Sequence, residues 1–183
     1  MKIYIASSFR NAFQQKVVKL LREQSYEVYD FVNPGNGVRS FHWSEIDPDW
    51  ESWSARDFRK ALTHYLAESS FYSDITALME CDVCLLVLPC GRSAHLEAGC
   101  AIGAGKPTII LLSDRNEPEL SYKMTPYLCV NMDEVIKCLK SIEEASSRTI
   151  GTRAKSYGGL RYDLQVQEKL QKMFLLQGTI VQR

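Results

Sequence analysis

The sequence predicts an α/β fold in which an open, mostly parallel sheet of five strands carries helices on both faces. Two observations predict it. First, two short apolar runs, Val83 to Leu88 and Thr108 to Leu112, flank a stretch with helical spacing, and such runs are typical of strands buried on both faces of a parallel sheet. Second, strand-like and helix-like segments alternate along the chain, which is the pattern of doubly wound folds of the flavodoxin or Rossmann type.

The first unit of this alternation begins at the amino terminus. Lys2 to Ala6 is predicted as a strand and about Ala12 to Gln24 as a helix, because apolar residues recur in the second segment at helical spacing. The loop between them carries Ser8 and Arg10. Hydroxyls and a guanidinium ahead of a helix N-terminus suit an anion such as phosphate, and a merely solvated loop is the alternative.

Tyr26 to Phe31 is predicted as the second strand, and the long loop after it, which reaches about Ser54, is rich in aromatic residues. Long loops within compact domains are usually functional or disordered, and this aromatic content argues against disorder. Trp43 is therefore predicted to stack on a planar heterocycle such as a nucleobase, with His42 or Glu45 reading its edge. The alternative is a small aromatic core beneath the loop.

Two helices are predicted between this loop and the next strand. Ala55 to His64 is the first, with Ser54 as its cap, and Ser70 to Glu80 is the second. Asp74 lies on the second helix. Taken alone, an aspartate on a helix is most simply read as a solvated surface residue.

The centre of the chain is a strand–helix–strand unit. The strand at Val83 to Leu88 leads into a helix predicted from about Ala94 to Ala104, with Ser93 as its cap. Glu97 lies one turn into that helix, near the carboxyl end of the strand, where open α/β sheets bind their ligands. A carboxylate at a helix N-terminus is stabilised as the anion and can act as a nucleophile. A glutamate placed only to interact with the helix dipole is the alternative.

The remaining chain is predicted to complete the sheet and to extend beyond it. Tyr127 to Val130 is the last strand, and Asp133 to Glu144 is the helix that covers it. From residue 146 a polar linker leads into an amphipathic helix at Leu160 to Leu176. We therefore divide the chain into a domain of residues 1–145 and an extension of residues 146–183.

Composition narrows the possible functions. The 183 residues contain 45% hydrophobic and 24% charged side chains with a formal net charge of zero, which is ordinary for one globular domain and does not indicate nucleic-acid or membrane-surface binding. No run approaches the roughly 20 apolar residues of a membrane span. Six cysteines in apolar patterns and an amino terminus that runs directly into a strand indicate a cytoplasmic protein without a signal peptide.

Two absent motifs exclude common classes of nucleotide-binding enzyme. No GxGxxG follows the first strand and no GxxxxGK[ST] occurs, which argues against dinucleotide-dependent dehydrogenases and P-loop enzymes. Cys81 and Cys84 have redox spacing, but no second Cys/His pair has the spacing of a zinc site.

Three segments, in this order, resemble the nucleoside 2-deoxyribosyltransferase family: KIYIASSFR at the amino terminus, YSDITALMECDVCLLVL in the middle and GRSAHLEAG around the central helix. The resemblance covers about residues 1–140. In its site pattern it is closest to the family's nucleoside 5′-monophosphate N-glycosidase branch. It implies a small-molecule nucleotide or nucleoside substrate, no metal or organic cofactor, and a homo-oligomer, either a dimer or a larger assembly.

The resemblance also implies the catalytic residues. The family's nucleophile is a glutamate followed by a small residue and a glycine, which corresponds to Glu97 here. Its second catalytic carboxylate corresponds to Asp74, and its tyrosine near the sugar and the nucleophile corresponds to Tyr4.

Residues that bind the substrate are implied in the same way. Ser8 and Arg10 match the pair that holds the 5′-phosphate in the N-glycosidase branch, and Ser121 matches a serine given by a neighbouring subunit. The transferases carry an aspartate where this chain has Gly91, and the monophosphate enzymes carry a serine there. Ser93, two residues later, is the hydroxyl that could take over the contact to the 5′ group.

The implied reaction is cleavage of an N-glycosidic bond through an oxocarbenium-like sugar. Glu97 would attack C1′, and Asp74 would assist the leaving base or orient the sugar. Hydrolysis and transfer of the (deoxy)ribosyl group to another base both fit. The alternative function is a TIR-like hydrolase of NAD-type nucleotides or a non-catalytic nucleotide sensor, because those domains share the same layout.

Overall fold

A computed structural model describes residues 1–34, 40–114 and 118–151, with only the backbone described for 148–151. Within these ranges five strands form one sheet in the order β2-β1-β3-β4-β5. The strands are β1 Lys2–Ala6, β2 Glu27–Tyr29, β3 Val83–Val87, β4 Thr108–Leu111 and β5 Tyr127–Cys129. Every neighbouring pair is parallel, so the predicted α/β fold class is confirmed.

Helices connect the strands and cover both faces of the sheet. Across the described ranges the α-helices are α1 Gln14–Glu23, α2 Ala55–Ala61, α3 Tyr65–Glu80, α4 Arg92–Gly103 and α5 Met132–Gly151. Short 3-10 turns lie at Trp43–Glu45, Trp50–Ser52 and Leu120–Met124. No helix among the described residues is both long and apolar enough to cross a membrane.

The sheet separates two hydrophobic cores, because alternate side chains of a strand point to opposite faces. Ile3 and Ile5 of β1 lie in the core that α1 and α5 cover, whereas Tyr4 and Ala6 lie in the core that α3 and α4 cover. Every residue of β3 is buried, which explains the continuous apolar run in its sequence.

The strand order places the topological switch point of the sheet at the carboxyl ends of β1 and β3. These neighbouring strands lead to connections that leave in opposite directions along the sheet, and such switch points are where open α/β sheets bind ligands. Asn11 ties the loop after β1 to the end of β3, since its Nδ2 donates to the Val87 carbonyl at 3.2 Å and to Ser7 Oγ at 3.1 Å. Ser7 Oγ donates to the same carbonyl at 2.8 Å. The start of the first loop is therefore held against the carboxyl end of β3.

One predicted cap is wrong. Helix α4 begins at Arg92 with Gly91 as its N-cap, so Ser93 lies inside the first turn and does not cap the helix. Its hydroxyl instead donates to Glu97 Oε1 at 3.1 Å. Glycine is tolerated at an N-cap, which lets the helix start before the serine.

Helix α3 begins earlier than predicted, at Tyr65 rather than Ser70. The reason is local, because the His64 imidazole accepts the Leu66 backbone N–H at 3.3 Å and so satisfies one of the free donors of a first helical turn. By contrast, Ser54 caps α2 as predicted.

Helix α5 continues to Gly151, beyond its predicted end at Glu144. The predicted linker from residue 146 therefore begins inside a helix rather than in a loop. The predicted helix at Leu160 to Leu176 lies outside the described residues, and the division of the chain into a domain and an extension stays a prediction.

Candidate active site

Glu97 lies on α4 near the carboxyl end of β3, and its side chain is half-buried. Burial raises the pKa of this carboxyl group, and the nearby Asp74 carboxylate raises it further. The Ser93 hydroxyl and the Tyr4 hydroxyl act in the opposite direction and lower the pKa, but the net shift is upward. Glu97 is therefore a poorly solvated carboxylate whose anionic form is not neutralised by a nearby cation among the interactions described for it.

Asp74 lies on α3 and is also half-buried. Burial raises the pKa of its carboxyl group, while a hydrogen bond from Tyr29 lowers it in part. The Tyr29 hydroxyl donates to Asp74 Oδ1 at 2.7 Å. Because Asp74 in turn raises the pKa of Glu97, two carboxylates of like charge share one weakly solvated region, an arrangement that is concentrated at functional sites.

Tyr4 occupies the floor of this region. Its side chain is fully buried on β1, and its hydroxyl has no hydrogen-bond partner among the described residues. Burial raises the pKa of the phenol, and Glu97 and Asp74 raise it further, so both carboxylates lie within electrostatic reach. The same hydroxyl lowers the pKa of Glu97, as a hydrogen-bond donor does, so it faces that carboxylate from beyond direct hydrogen-bond distance.

Tyr29 belongs to the same cluster, although the sequence analysis did not select it. Its ring stacks on that of Tyr4, with centroids 5.3 Å apart and planes at 11°, and the two residues are partners in the β1–β2 register. A signal was available, because Tyr29 lies within the predicted strand Tyr26 to Phe31 and directly follows the apolar Val28. Since alternate side chains of a strand point to opposite faces, Tyr29 lies on the face of the sheet that carries Tyr4, and Val28 lies on the other.

The first loop carries the residues that are predicted to bind phosphate, and it follows the carboxyl end of β1. Ser8 is half-buried and its Oγ accepts the Arg10 backbone N–H at 3.2 Å. The Arg10 side chain is exposed. It is long, and its guanidinium group is always charged. These residues follow β1 directly, so they lie beyond the carboxyl end of the strand that carries Tyr4.

The aromatic loop forms a packed cluster around Trp43. Its ring meets Phe41, Trp53 and Phe58 edge-on, at centroid distances of 4.8, 5.7 and 5.5 Å. These contacts are those of a small aromatic core, the alternative that the sequence left open. The exposed His42, unlike Trp43, contacts the first loop, because its ring centroid lies 4.9 Å from that of Phe9.

Ser121 is exposed on the 3-10 turn Leu120–Met124. The next residue holds this turn against α4, since His95 Nε2 lies 2.9 Å from the Tyr122 hydroxyl. His95 Nδ1 lies 2.9 Å from the Gly91 carbonyl, which can only accept. Nδ1 therefore carries the proton, and in the neutral ring Nε2 accepts from Tyr122.

No group of three or more His, Cys, Asp or Glu side chains in the described ranges is arranged to hold a metal ion. The six cysteines are free. Cys90 lies within electrostatic reach of Glu97, and burial and that carboxylate raise the pKa of its thiol to about 11. It is therefore a protonated thiol near neutral pH rather than a nucleophilic thiolate.

No protein-family model matches the sequence, and no curated protein matches it either. Among solved structures, a 2-deoxyribosyltransferase from Bacillus psychrosaccharolyticus aligns with a TM-score of 0.51 and 20% identity, over 74% of this chain and 90% of that one. The CMP N-glycosidase BcmB from Clostridium botulinum aligns with a TM-score of 0.42 and 17% identity, over 76% of this chain and 99% of that one. The first of these similarities confirms the fold.

Proposed function

We propose that the chain is an enzyme that cleaves the N-glycosidic bond of a nucleoside 5′-monophosphate. One observation carries the proposal: two weakly solvated carboxylates, Glu97 and Asp74, lie within electrostatic reach of the buried hydroxyl of Tyr4, near the carboxyl ends of β1 and β3. The proposal agrees with the deoxyribosyl transfer for which the Bacillus structure is named, and with the resemblance of the sequence motifs.

The chemistry suits a reaction in which positive charge develops on a sugar. As the bond from C1′ to the base breaks, the electron pair leaves with the base and C1′ becomes oxocarbenium-like. Carboxylates in a region of low solvation stabilise that charge more strongly than they would in water. Glu97 then forms a bond to C1′, and Asp74 orients the sugar or assists the departing base.

A second step releases the sugar from Glu97. Water attacks C1′, the ester bond to Glu97 breaks, and the products are the free base and a (deoxy)ribose 5-phosphate. If another base attacks instead, the product is a new nucleotide and the reaction is a transfer. In either route Glu97 returns as a carboxylate, so no oxidant, reductant or metal is consumed.

The pH dependence follows from the raised pKa of the nucleophile. Attack needs the Glu97 carboxylate, which is lost as the pH falls through its pKa. Burial and Asp74 place that pKa above the ordinary value for glutamate. The acidic limb of the rate profile is therefore expected at a higher pH than an exposed glutamate would give. Because the Glu97 and Asp74 carboxylates interact, the pKa of this limb describes the pair rather than either residue alone.

We further propose that Ser8 and Arg10 bind the 5′-phosphate. The Arg10 side chain is exposed at the sheet edge, where it can form a charge-assisted hydrogen bond to an incoming anion. Ser93 is less suited to this contact than the sequence suggested, because its hydroxyl hydrogen already goes to Glu97 Oε1.

The aromatic loop is proposed to cover the base, with His42 at its edge and Trp43 stacking. Trp43→Ala should raise KM by about 5- to 150-fold, the range for loss of one base-stacking contact. It should also lower the melting temperature, because Trp43 packs against Phe41, Trp53 and Phe58. Steady-state kinetics and calorimetry measure the two effects.

The matched control for Trp43 is Phe58→Ala, which removes a partner from the same aromatic cluster. It should lower the melting temperature to a similar extent and leave KM within about twofold, within the scatter expected of a residue that binds no substrate. Equal changes in KM for the two variants would assign the loop to packing alone.

We propose that the protein is a homo-oligomer, at least a dimer. Leu96, Leu120 and Met124 are 76%, 81% and 61% exposed, and the contact between His95 and Tyr122 brings their two elements together. Exposed apolar groups of this kind mark interaction surfaces. Light scattering at micromolar concentration should give a mass of two chains or more, and Leu120→Glu should reduce it. A fully active monomer would contradict the proposal.

A panel of substrates tests the proposed function. The protein is incubated with ribo- and deoxyribonucleoside 5′-monophosphates, the matching nucleosides and NAD, and the products are separated by chromatography. Free base released from a monophosphate supports the proposal, and adding a second base distinguishes transfer from hydrolysis. Release of nicotinamide from NAD alone would support the TIR-like alternative, and binding without any product would support a nucleotide sensor.

A further inference from the structure

Two consecutive hydrogen bonds link the hydroxyl groups of Ser73 and Tyr29 to the carboxylate of Asp74. The Tyr29 hydroxyl lies 2.7 Å from Asp74 Oδ1 and 3.1 Å from Ser73 Oγ. An ionised carboxylate can only accept, so the single Tyr29 proton goes to Asp74, and Ser73 must donate to the Tyr29 oxygen. The direction Ser73 to Tyr29 to Asp74 is thereby set, and each hydrogen bond in such a chain strengthens the next.

The tyrosine in this chain is held in place by its neighbours. Its ring lies nearly parallel to that of the fully buried Tyr4, with centroids 5.3 Å apart. The backbone just after it is also fixed, because the buried Asp30 accepts hydrogen bonds from Gln14 Nε2 at 2.8 Å and from the Val32 backbone N–H at 3.1 Å. The Tyr29 side chain is therefore supported by β1 and α1 in addition to its hydrogen bond to Asp74.

The two hydrogen bonds from Ser73 to Tyr29 and from Tyr29 to Asp74, called the relay below, engage only one oxygen of the Asp74 carboxylate. Oδ1 accepts the hydrogen bond from Tyr29, and no other hydrogen bond to this carboxylate is found among the described residues. The bond to Oδ1 restrains the rotation of the carboxylate and leaves Oδ2 for a substrate group.

We propose that Tyr29 is a positioning residue that, together with Ser73, holds the Asp74 carboxylate in the orientation needed for catalysis. This inference rests on the proposed function. Without the relay the carboxylate can rotate, and a small misplacement of a catalytic group costs a large share of the rate.

The relay also acts on the protonation of Asp74. Burial raises the pKa of this carboxyl group and the Tyr29 hydrogen bond lowers it. The titratable groups that face it are Glu97 on α4, Tyr4 on β1 and Tyr29 on β2. Loss of the Tyr29 hydroxyl removes the lowering effect, so Asp74 accepts a proton at a higher pH.

The test is Tyr29→Phe, which keeps the ring and removes the hydroxyl. We expect kcat to fall by about tenfold or more, in line with a misplaced catalytic group, with little change in KM. The acidic limb of the kcat profile should move to higher pH. Ser73→Ala should shift the limb in the same direction by less.

Tyr26→Phe is the matched control. Its hydroxyl also faces a carboxylate, Glu143 Oε2 at 3.5 Å, but the ring packs in the core on the opposite face of the sheet. This variant should leave kcat and its pH profile unchanged.

The outcomes separate this inference from the proposed function. If the wild-type protein releases base and Tyr29→Phe has the same kcat and pH profile, the relay has no catalytic role and the inference is overturned. If no nucleotide is cleaved, the proposed function fails first. The relay is then judged by carboxyl ¹³C NMR, where an upward shift of the Asp74 pKa in Tyr29→Phe supports it and an unchanged pKa overturns it.

Discussion

Glu97→Gln should lower kcat for base release by about a thousandfold or more, the scale on which loss of a covalent nucleophile acts. Glutamine keeps the shape of the side chain and can still accept the hydrogen bond that Ser93 donates at 3.1 Å. It can neither attack C1′ nor supply the negative charge that stabilises an oxocarbenium-like sugar. Product formation under single-turnover conditions measures the loss without interference from product release.

The same substitution should make the free protein more stable at neutral pH. The folded-state pKa of Glu97 is raised, first by burial and then by Asp74, so the folded state holds this proton more tightly than the unfolded state does. Its contribution to stability is fully present below the unfolded-state pKa and is lost as the pH rises through the folded-state pKa. Glutamine carries no charge to desolvate, so the variant does not lose this stability as the pH rises.

Calorimetry at two pH values measures this effect. At neutral pH the melting temperature of Glu97→Gln should exceed that of the wild type. The difference should shrink as the pH falls through the raised folded-state pKa of Glu97 and should be gone below the unfolded-state pKa of glutamate. Glu80→Gln, at the exposed end of α3, is the control and should change neither activity nor stability. A folded Glu97→Gln protein that kept most of its turnover would exclude Glu97 as the nucleophile.

Arg10→Ala should separate nucleotides from nucleosides. Loss of a charge-assisted hydrogen bond to phosphate costs about 1.5–3 kcal/mol, so kcat/KM for the monophosphate should fall by about 10- to 150-fold. The value for the corresponding nucleoside should stay within about twofold, because that substrate carries no phosphate to lose a contact. Parallel assays of the two substrates under first-order conditions give both ratios.

Lys16→Ala controls for a general change in charge. Lys16 is an exposed cation on α1, the helix that follows the first loop, and its removal should affect both substrates slightly and equally. Arg10→Lys retains the charge but not the planar guanidinium, and we expect it to recover part of the lost rate. Equal losses for nucleotide and nucleoside in Arg10→Ala would assign this arginine to structure.

The sheet could be predicted from the sequence because its signal is local. A strand buried on both faces must be apolar at every position, so β3 is visible as a continuous run that ends at Pro89. The helix boundaries were less predictable. Gly91 caps α4 in place of Ser93, and α3 begins at Tyr65, after the cap His64, rather than at Ser70. Capping depends on backbone geometry, which side-chain preference describes only on average.

Several site residues could be predicted from sequence motifs, but their spatial arrangement could not. Glu97, Asp74 and Tyr4 stand on three different elements, and their electrostatic coupling appears only once α3 and α4 pack on the same face of the sheet. Tyr29 was missed for the same reason, because its partners Ser73 and Asp74 lie more than 40 residues away, at separations of 44 and 45 positions.

By itself the sequence determined the order and type of the elements, the apolar faces, and the presence of carboxylates and hydroxyls near strand ends. These properties follow from the period and chemistry of neighbouring residues. Only the tertiary structure decided which side chains share a solvation environment: it placed Trp43 in an aromatic cluster, directed Ser93 to Glu97 and buried the Tyr4 hydroxyl within electrostatic reach of Glu97 and Asp74. Burial, hydrogen-bond direction and the coupling of charges depend on distances between residues remote in the chain, and those distances are set by packing.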